Sequence, residues 1–133
     1  MTEQPRVTVV NDNPEFLALV GEILTSDRFV TTLVDGDRGD ALEHIRQSKP
    51  DVLMIDLRLG TERLHGWDIA QAARRDPELA QLPILVCSAD HKAMEGLGEQ
   101  VATDKQVALL RKPFALDDLT QAIEGLLDRG VPA

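Results

Sequence analysis

The sequence predicts an α/β fold, a five-stranded parallel sheet with helices on both faces. Two observations predict it. Five short apolar runs, most of them rich in β-branched residues, alternate with five stretches whose apolar residues recur at helical spacing. The third run, Val52-Leu53-Met54-Ile55, is apolar throughout, as expected of a strand covered on both faces of a parallel sheet.

The elements follow in order. Val7-Thr8-Val9-Val10 is the first strand. Asn13-Pro14-Glu15 then opens a helix, with an N-cap amide, a proline at the first helical position and an acid in the first turn. Phe16, Leu17, Leu19, Val20, Ile23 and Leu24 form its apolar stripe, and Ser26-Asp27 ends it. The second strand is 29–34; it runs into Val34-Asp35-Gly36, a turn signal suited to a sheet edge. Ala41, Leu42 and Ile45 mark a short second helix closed by Lys49-Pro50. After the third strand, a polar loop over 58–65 leads to a helix with Ile69, Ala72 and Ala73 inward, interrupted by Asp76-Pro77. Ile84-Leu85-Val86-Cys87 is the fourth strand. A fourth helix is expected over 91–103, weakened by Gly96 and Gly98, each costing about 1 kcal/mol relative to Ala. Val107-Ala108-Leu109-Leu110 is the fifth strand, and Leu116, Leu119, Ile123, Leu126 and Leu127 stripe the last helix.

The chain has 133 residues, the size of one domain, with its core expected over about 6–128. Hydrophobic residues make up 43% and charged residues 28%, an ordinary globular composition. Lys and Arg number 14 against 23 Asp and Glu, for a net charge of −9, which opposes nucleic-acid binding. No apolar run approaches the ~18 residues of a membrane span. The opening Met-Thr-Glu-Gln-Pro-Arg lacks signal-peptide order. The lone Cys87 forms no internal disulfide and reads as a small core residue. A cytoplasmic domain with neither a nucleic-acid nor a membrane partner is the expectation.

The functional signal lies at the strand ends. Asn11-Asp12 follows the first strand, Asp56 the third and Ser88 the fourth, and Lys112 comes just after the fifth. Carboxyl ends of parallel strands share one edge, so these residues converge on one crevice. Asp12 and Asp56 offer hard oxygens to Mg²⁺. Asp56 can attack phosphorus to give an acyl phosphate. Ser88 and Lys112 can hold phosphoryl oxygens, one by a neutral hydrogen bond and one by charge.

On these residues the chain resembles the response regulator receiver domains of two-component signalling, over essentially its whole length. The carriers are Val9-Val10-Asn11-Asp12, Ile55-Asp56-Leu57, Val86-Cys87-Ser88-Ala89 and Arg111-Lys112-Pro113-Phe114. The resemblance implies a flavodoxin-like (βα)5 fold with strand order 2-1-3-4-5. It implies that Asp56 is the phosphoacceptor, that Ser88 and Lys112 bind the phosphoryl group, and that Mg²⁺ is held by Asp12, Asp56 and the backbone carbonyl of Arg58. Asn11 would reach the metal through water. A cis bond between Lys112 and Pro113 is also implied.

The sequence departs from the family at several points. Asn11 replaces an acid and weakens attraction for Mg²⁺, by roughly 1 kcal/mol at the low end of the Coulomb range. Leu109 stands where receivers often carry a Tyr or Phe that moves with the hydroxyl, and the chain has no Tyr. Gly66 lies ten residues after Asp56, farther than is common, and Gly60 replaces a frequent Pro, so a mobile loop is expected. His44, His65 and His91 have no metal-site spacing and are expected at the surface. Arg58 and Asp90 flank the expected mouth, where their opposite charges could pair and tune the lifetime of the phosphorylated state.

The leading reading is a stand-alone receiver, not an enzyme in the classified sense. It takes phosphoryl from a sensor histidine kinase or a histidine phosphotransfer protein and signals through an output protein the sequence does not name. It would act as a monomer or a phosphorylation-dependent dimer. The alternative is a docking module that works without phosphorylation, supported by Asn11 and Leu109. A flavodoxin-like or phosphatase-type enzyme is disfavoured, because the first strand is followed by neither a Ser/Thr/Gly-rich cradle nor an Asp-x-Asp pair.

Overall fold

The computed structural model describes residues 4–36, 40–57, 65–97 and 106–130. Five parallel strands, β1 (Arg6–Asn11), β2 (Val30–Asp35), β3 (Val52–Asp56), β4 (Ile84–Ser88) and β5 (Val107–Arg111), form one sheet in the order β2-β1-β3-β4-β5. The helices are α1 (Pro14–Ser26), α2 (Ala41–Ser48), α3 (His65–Arg75), α4 (His91–Gly96) and α5 (Leu116–Gly130). The expected α/β class and strand order are those observed.

Strand residues alternate between two cores, because successive side chains point to opposite faces. Val10, Leu53, Ile55, Ile84 and Val86 pack with Ile45 of α2 and with Ile69, Ala70 and Ala73 of α3. Val7, Val9, Val52, Met54, Leu85 and Cys87 pack with Val20 and Leu24 of α1 and with Leu119, Ile123 and Leu126 of α5. The two central strands β1 and β3 are therefore covered on both sides. At the edge, β2 buries only Val34 and leaves Val30 and Leu33 exposed. The buried Thr8 is satisfied by the Ser48 hydroxyl at 2.6 Å.

α1 starts as its cap predicts: Asn13 Oδ1 accepts from the backbone N–H groups of Glu15 and Phe16, and Pro14 takes the first helical position. Two expectations change. On α3 the inward residues are Ile69, Ala70 and Ala73, with Ala72 only half-buried; alanines on both sides of the stripe leave its rotation ambiguous in sequence. The α4 helix runs only from His91 to Gly96, shorter than the expected 91–103, with 98–103 outside the described residues. It stops at the glycine that disfavours helix. Among the described residues, no helix is long and apolar enough to cross a membrane.

Candidate functional site

Parallel pairing brings the strand ends into one row. Val10 lies opposite Ile55, so Asn11 and Asp56 are the next neighbours along β1 and β3. Asp56 pairs with Cys87 and Ser88 with Arg111. Two backbone bonds continue the ladder past the strands: Leu57 N–H donates to Cys87 O and Lys112 N–H to Ser88 O, both at 2.9 Å. Residues far apart in sequence thus meet at one edge, as the register requires.

Asp56 is the centre of the row, with its side chain only 12% exposed. Its Oδ2 accepts from Lys112 Nζ at 2.6 Å and from Asn11 Nδ2 at 3.0 Å. The orientation of the Asn11 amide is fixed by its other end, where Oδ1 accepts from Asn13 N–H at 2.8 Å. Asn11 is buried. It places a donor against Asp56, where an acid would place a like charge. The Lys112 ammonium also lies over the Phe16 ring, 4.1 Å from its centroid. Phe114 meets Phe16 edge-on, with ring centroids 6.5 Å apart and planes at 82°.

Ser88 is buried, and its Oγ accepts from Asp90 N–H at 2.9 Å, a bond that leaves the hydroxyl proton to be donated elsewhere. The Asp90 carboxylate caps α4 by accepting from Ala93 N–H at 3.0 Å. The Lys112–Pro113 peptide is cis. Leu109 is a half-buried residue of β5 packed against the core, so no ring occupies that position. Burial raises the Cys87 thiol pKa well above its ordinary value, and this residue is a core side chain, as expected. Gly66, at the start of α3, donates its N–H to Leu57 O at 3.0 Å. A Cβ there would lie 1.8 Å from the Asp56 carbonyl oxygen, so only glycine lets α3 approach the end of β3 this closely. Arg58, Gly60 and the side chains of His65 and His91 lie outside the described residues, and with Arg58 its expected pairing to Asp90. His44 is half-buried and pairs with Asp40 at 2.9 Å.

The family model for the response regulator receiver domain matches residues 7–124. The chain belongs to that family. A sensor histidine kinase of Ectopseudomonas mendocina is 31% identical over 95% of this chain and 12% of its own length. A DNA-binding transcriptional regulator of Synechocystis is 31% identical over 94% of this chain and 50% of its own. The chain therefore spans half or less of these curated relatives. Among solved structures, a sensor protein from Polaromonas superposes with a TM-score of 0.80 at 26% identity, covering 96% of this chain and 98% of that one. A receiver protein from Sinorhizobium medicae superposes at 0.77 with 25% identity, covering 97% and 98%.

Receivers generally accept a phosphoryl group on an aspartate, generally bind Mg²⁺ at the acidic site, and interact with histidine kinases and output domains. The donor set of this receiver fits Mg²⁺. Asp12 is the residue after the end of β1 and Asp56 ends the neighbouring β3, and Mg²⁺ needs only one or two protein carboxylates beside its waters. Among the described residues no larger acidic or histidine cluster competes for a metal. The Asn11 amide oxygen is shared with Asn13, and its second lone pair suits a metal-bound water. Sequence reasoning placed Phe16 in the α1 stripe and missed its contact with Lys112. It also read Gly66 as a loop glycine. Neither contact has a sequence signal beyond residue type.

Proposed function

We propose that Asp56 of this receiver accepts a phosphoryl group from a partner phosphohistidine and later loses it to water. The 2.6 Å contact between Lys112 Nζ and Asp56 Oδ2, at a strand-end edge shared with Asp12 and Ser88, carries this reading. An Asp56 oxygen attacks phosphorus, forming the O–P bond as the P–N bond breaks. The leaving imidazole keeps the bond's electron pair and takes a proton. Asp12 and Asp56, with the Arg58 carbonyl that the family resemblance implies, would hold Mg²⁺, and the ion would neutralise charge on the phosphoryl oxygens. Lys112 exchanges part of its contact with the carboxylate for a phosphoryl oxygen, and Ser88 donates its hydroxyl proton to another. Hydrolysis then breaks the same O–P bond, restoring the carboxylate and releasing inorganic phosphate. Arg58 and Asp90 are candidates to slow that step by restricting water. The signal leaves through altered protein–protein binding, and the net charge of −9 argues against direct contact with nucleic acid. Family membership does not favour the phosphorylation-independent alternative.

The test is incubation with acetyl phosphate and Mg²⁺, followed by intact mass. One phosphoryl group should be added per chain, and chelation should abolish the addition. No addition at saturating Mg²⁺ would overturn the reading.

A further inference from the structure

The contacts around Asp56 close into a ring. Asn11 Nδ2 donates to Asp56 at 3.0 Å, and Asn11 Oδ1 accepts from Asn13 N–H at 2.8 Å. Asn13 Oδ1 accepts from Phe16 N–H at 3.2 Å, which sets the first turn of α1 and the placement of the Phe16 ring. The ring lies 4.1 Å from Lys112 Nζ, and Lys112 returns to Asp56 at 2.6 Å. Phe114, two residues beyond Lys112, braces the ring edge-on, so its face is turned to the ammonium.

A lysine side chain has four rotatable bonds and no planar fork to hold it. A hydrogen bond to a carboxylate oxygen does not by itself fix the direction from which an ammonium approaches. The face of an aromatic ring carries negative potential and attracts a cation, adding a second direction of hold to that of the carboxylate. We infer that Phe16 is the positioning residue for Lys112: its ring, set by the Asn11–Asn13 cap, keeps the ammonium aimed at the acceptor oxygen. The inference rests on the reading of Asp56 as acceptor. It gives this receiver an aromatic at the site on α1, where β5 offers only Leu109.

The experiment replaces Phe16 in the full chain with phenylalanines carrying one, two and three ring fluorines. Volume is nearly constant while the negative potential of the ring face falls. The rate of labelling from acetyl phosphate at saturating Mg²⁺ should fall stepwise, to about a third with three fluorines, at unchanged melting temperature. Phe16→Leu should be slower and Phe16→Tyr should restore the rate. A flat series, with the unsubstituted protein labelled normally, overturns the inference and leaves the acceptor reading intact. Loss of labelling in the unsubstituted protein instead overturns the acceptor reading. The contact is then decided by NMR of the Lys112 ε protons. An upfield ring-current shift that disappears in Phe16→Leu supports it, and unshifted protons in the unsubstituted protein refute it.

Discussion

Asp56 and Asp76 are both nearly buried carboxylates held by a cation, with side chains 12% and 9% exposed. Their surroundings differ in kind. Asp76 follows α3 and is gripped by the Arg46 guanidinium of α2, while its other oxygen accepts from Glu78 N–H at 2.9 Å. Arg46 also pairs with Glu43, and Glu78 lies 3.7 Å from its Nε. A planar fork among three acids has no reason to move. Lys112 is a point charge that contacts an Asp56 carboxylate oxygen and the face of the Phe16 ring. It can follow negative charge when that charge is carried onto a phosphoryl oxygen. Burial and ion pairing alone therefore do not mark a reactive carboxylate. A cation without a planar fork, and a place in the row of strand ends, set Asp56 apart.

Exchanging the two cations for alanine breaks the comparison most sharply. Lys112→Ala should slow labelling of Asp56 about 100-fold, the usual cost of losing one charge-stabilising donor. Arg46→Ala should leave the labelling rate within about twofold while lowering the melting temperature. Comparable slowing in both variants would mean the two pairs do the same job. Second in size is Gly66→Ala, whose added carbon must displace the Asp56 carbonyl. A loss of about 2 kcal/mol in denaturant unfolding is expected, within the range for overpacking, together with slower labelling. Full stability in that variant would show that the approach of α3 to β3 is slack.

Asn11→Asp sharpens the comparison by making the surroundings of Asp56 more like those of Asp76, rich in acids. It removes a donor and adds a charge beside Asp56 and Asp12, the proposed metal ligands. The Mg²⁺ midpoint, followed by the fluorescence of Trp67, should fall about fivefold, corresponding to ~1 kcal/mol. An unchanged midpoint at matched ionic strength would show that the amide already serves as well. The smallest effect is on acid stability. The hydrogen bond from Arg46, and then that from Glu78 N–H, hold the Asp76 carboxyl below the usual carboxylate range. A depressed pKa contributes stability above the unfolded value, near 4, that is lost as pH falls through the folded value. Thermal melts of the unaltered protein should therefore decline more steeply below about pH 4 than those of Asp76→Asn. Parallel declines would assign the acid sensitivity elsewhere.

How much of this was legible in the residues follows from the range of each signal. Strands and helices were readable because β-branched runs, the Asn13-Pro14 cap and the breakers act locally. The row of Asp12, Asp56, Ser88 and Lys112 was readable because parallel strands leave little choice about where their ends meet. The direction of the Asn11 amide was not, since it depends on Asn13 N–H, a backbone group with no sequence signature. Phe16 has the same periodicity as Leu17 and Val20, so spacing could not separate a core ring from one over an ammonium. The need for glycine at 66 comes from the Asp56 carbonyl, ten residues back. Alanine's weak apolar signal left the inward face of α3 ambiguous between Ala70 and Ala72.

The most direct measurement is intact mass after acetyl phosphate and Mg²⁺ on three proteins side by side: the unaltered chain, Asp56→Asn and Asp76→Asn. One added phosphoryl group is expected on the first and the third, and none on Asp56→Asn. Labelling that persists in Asp56→Asn, or that vanishes in a folded Asp76→Asn, would contradict the assignment of Asp56 as the acceptor.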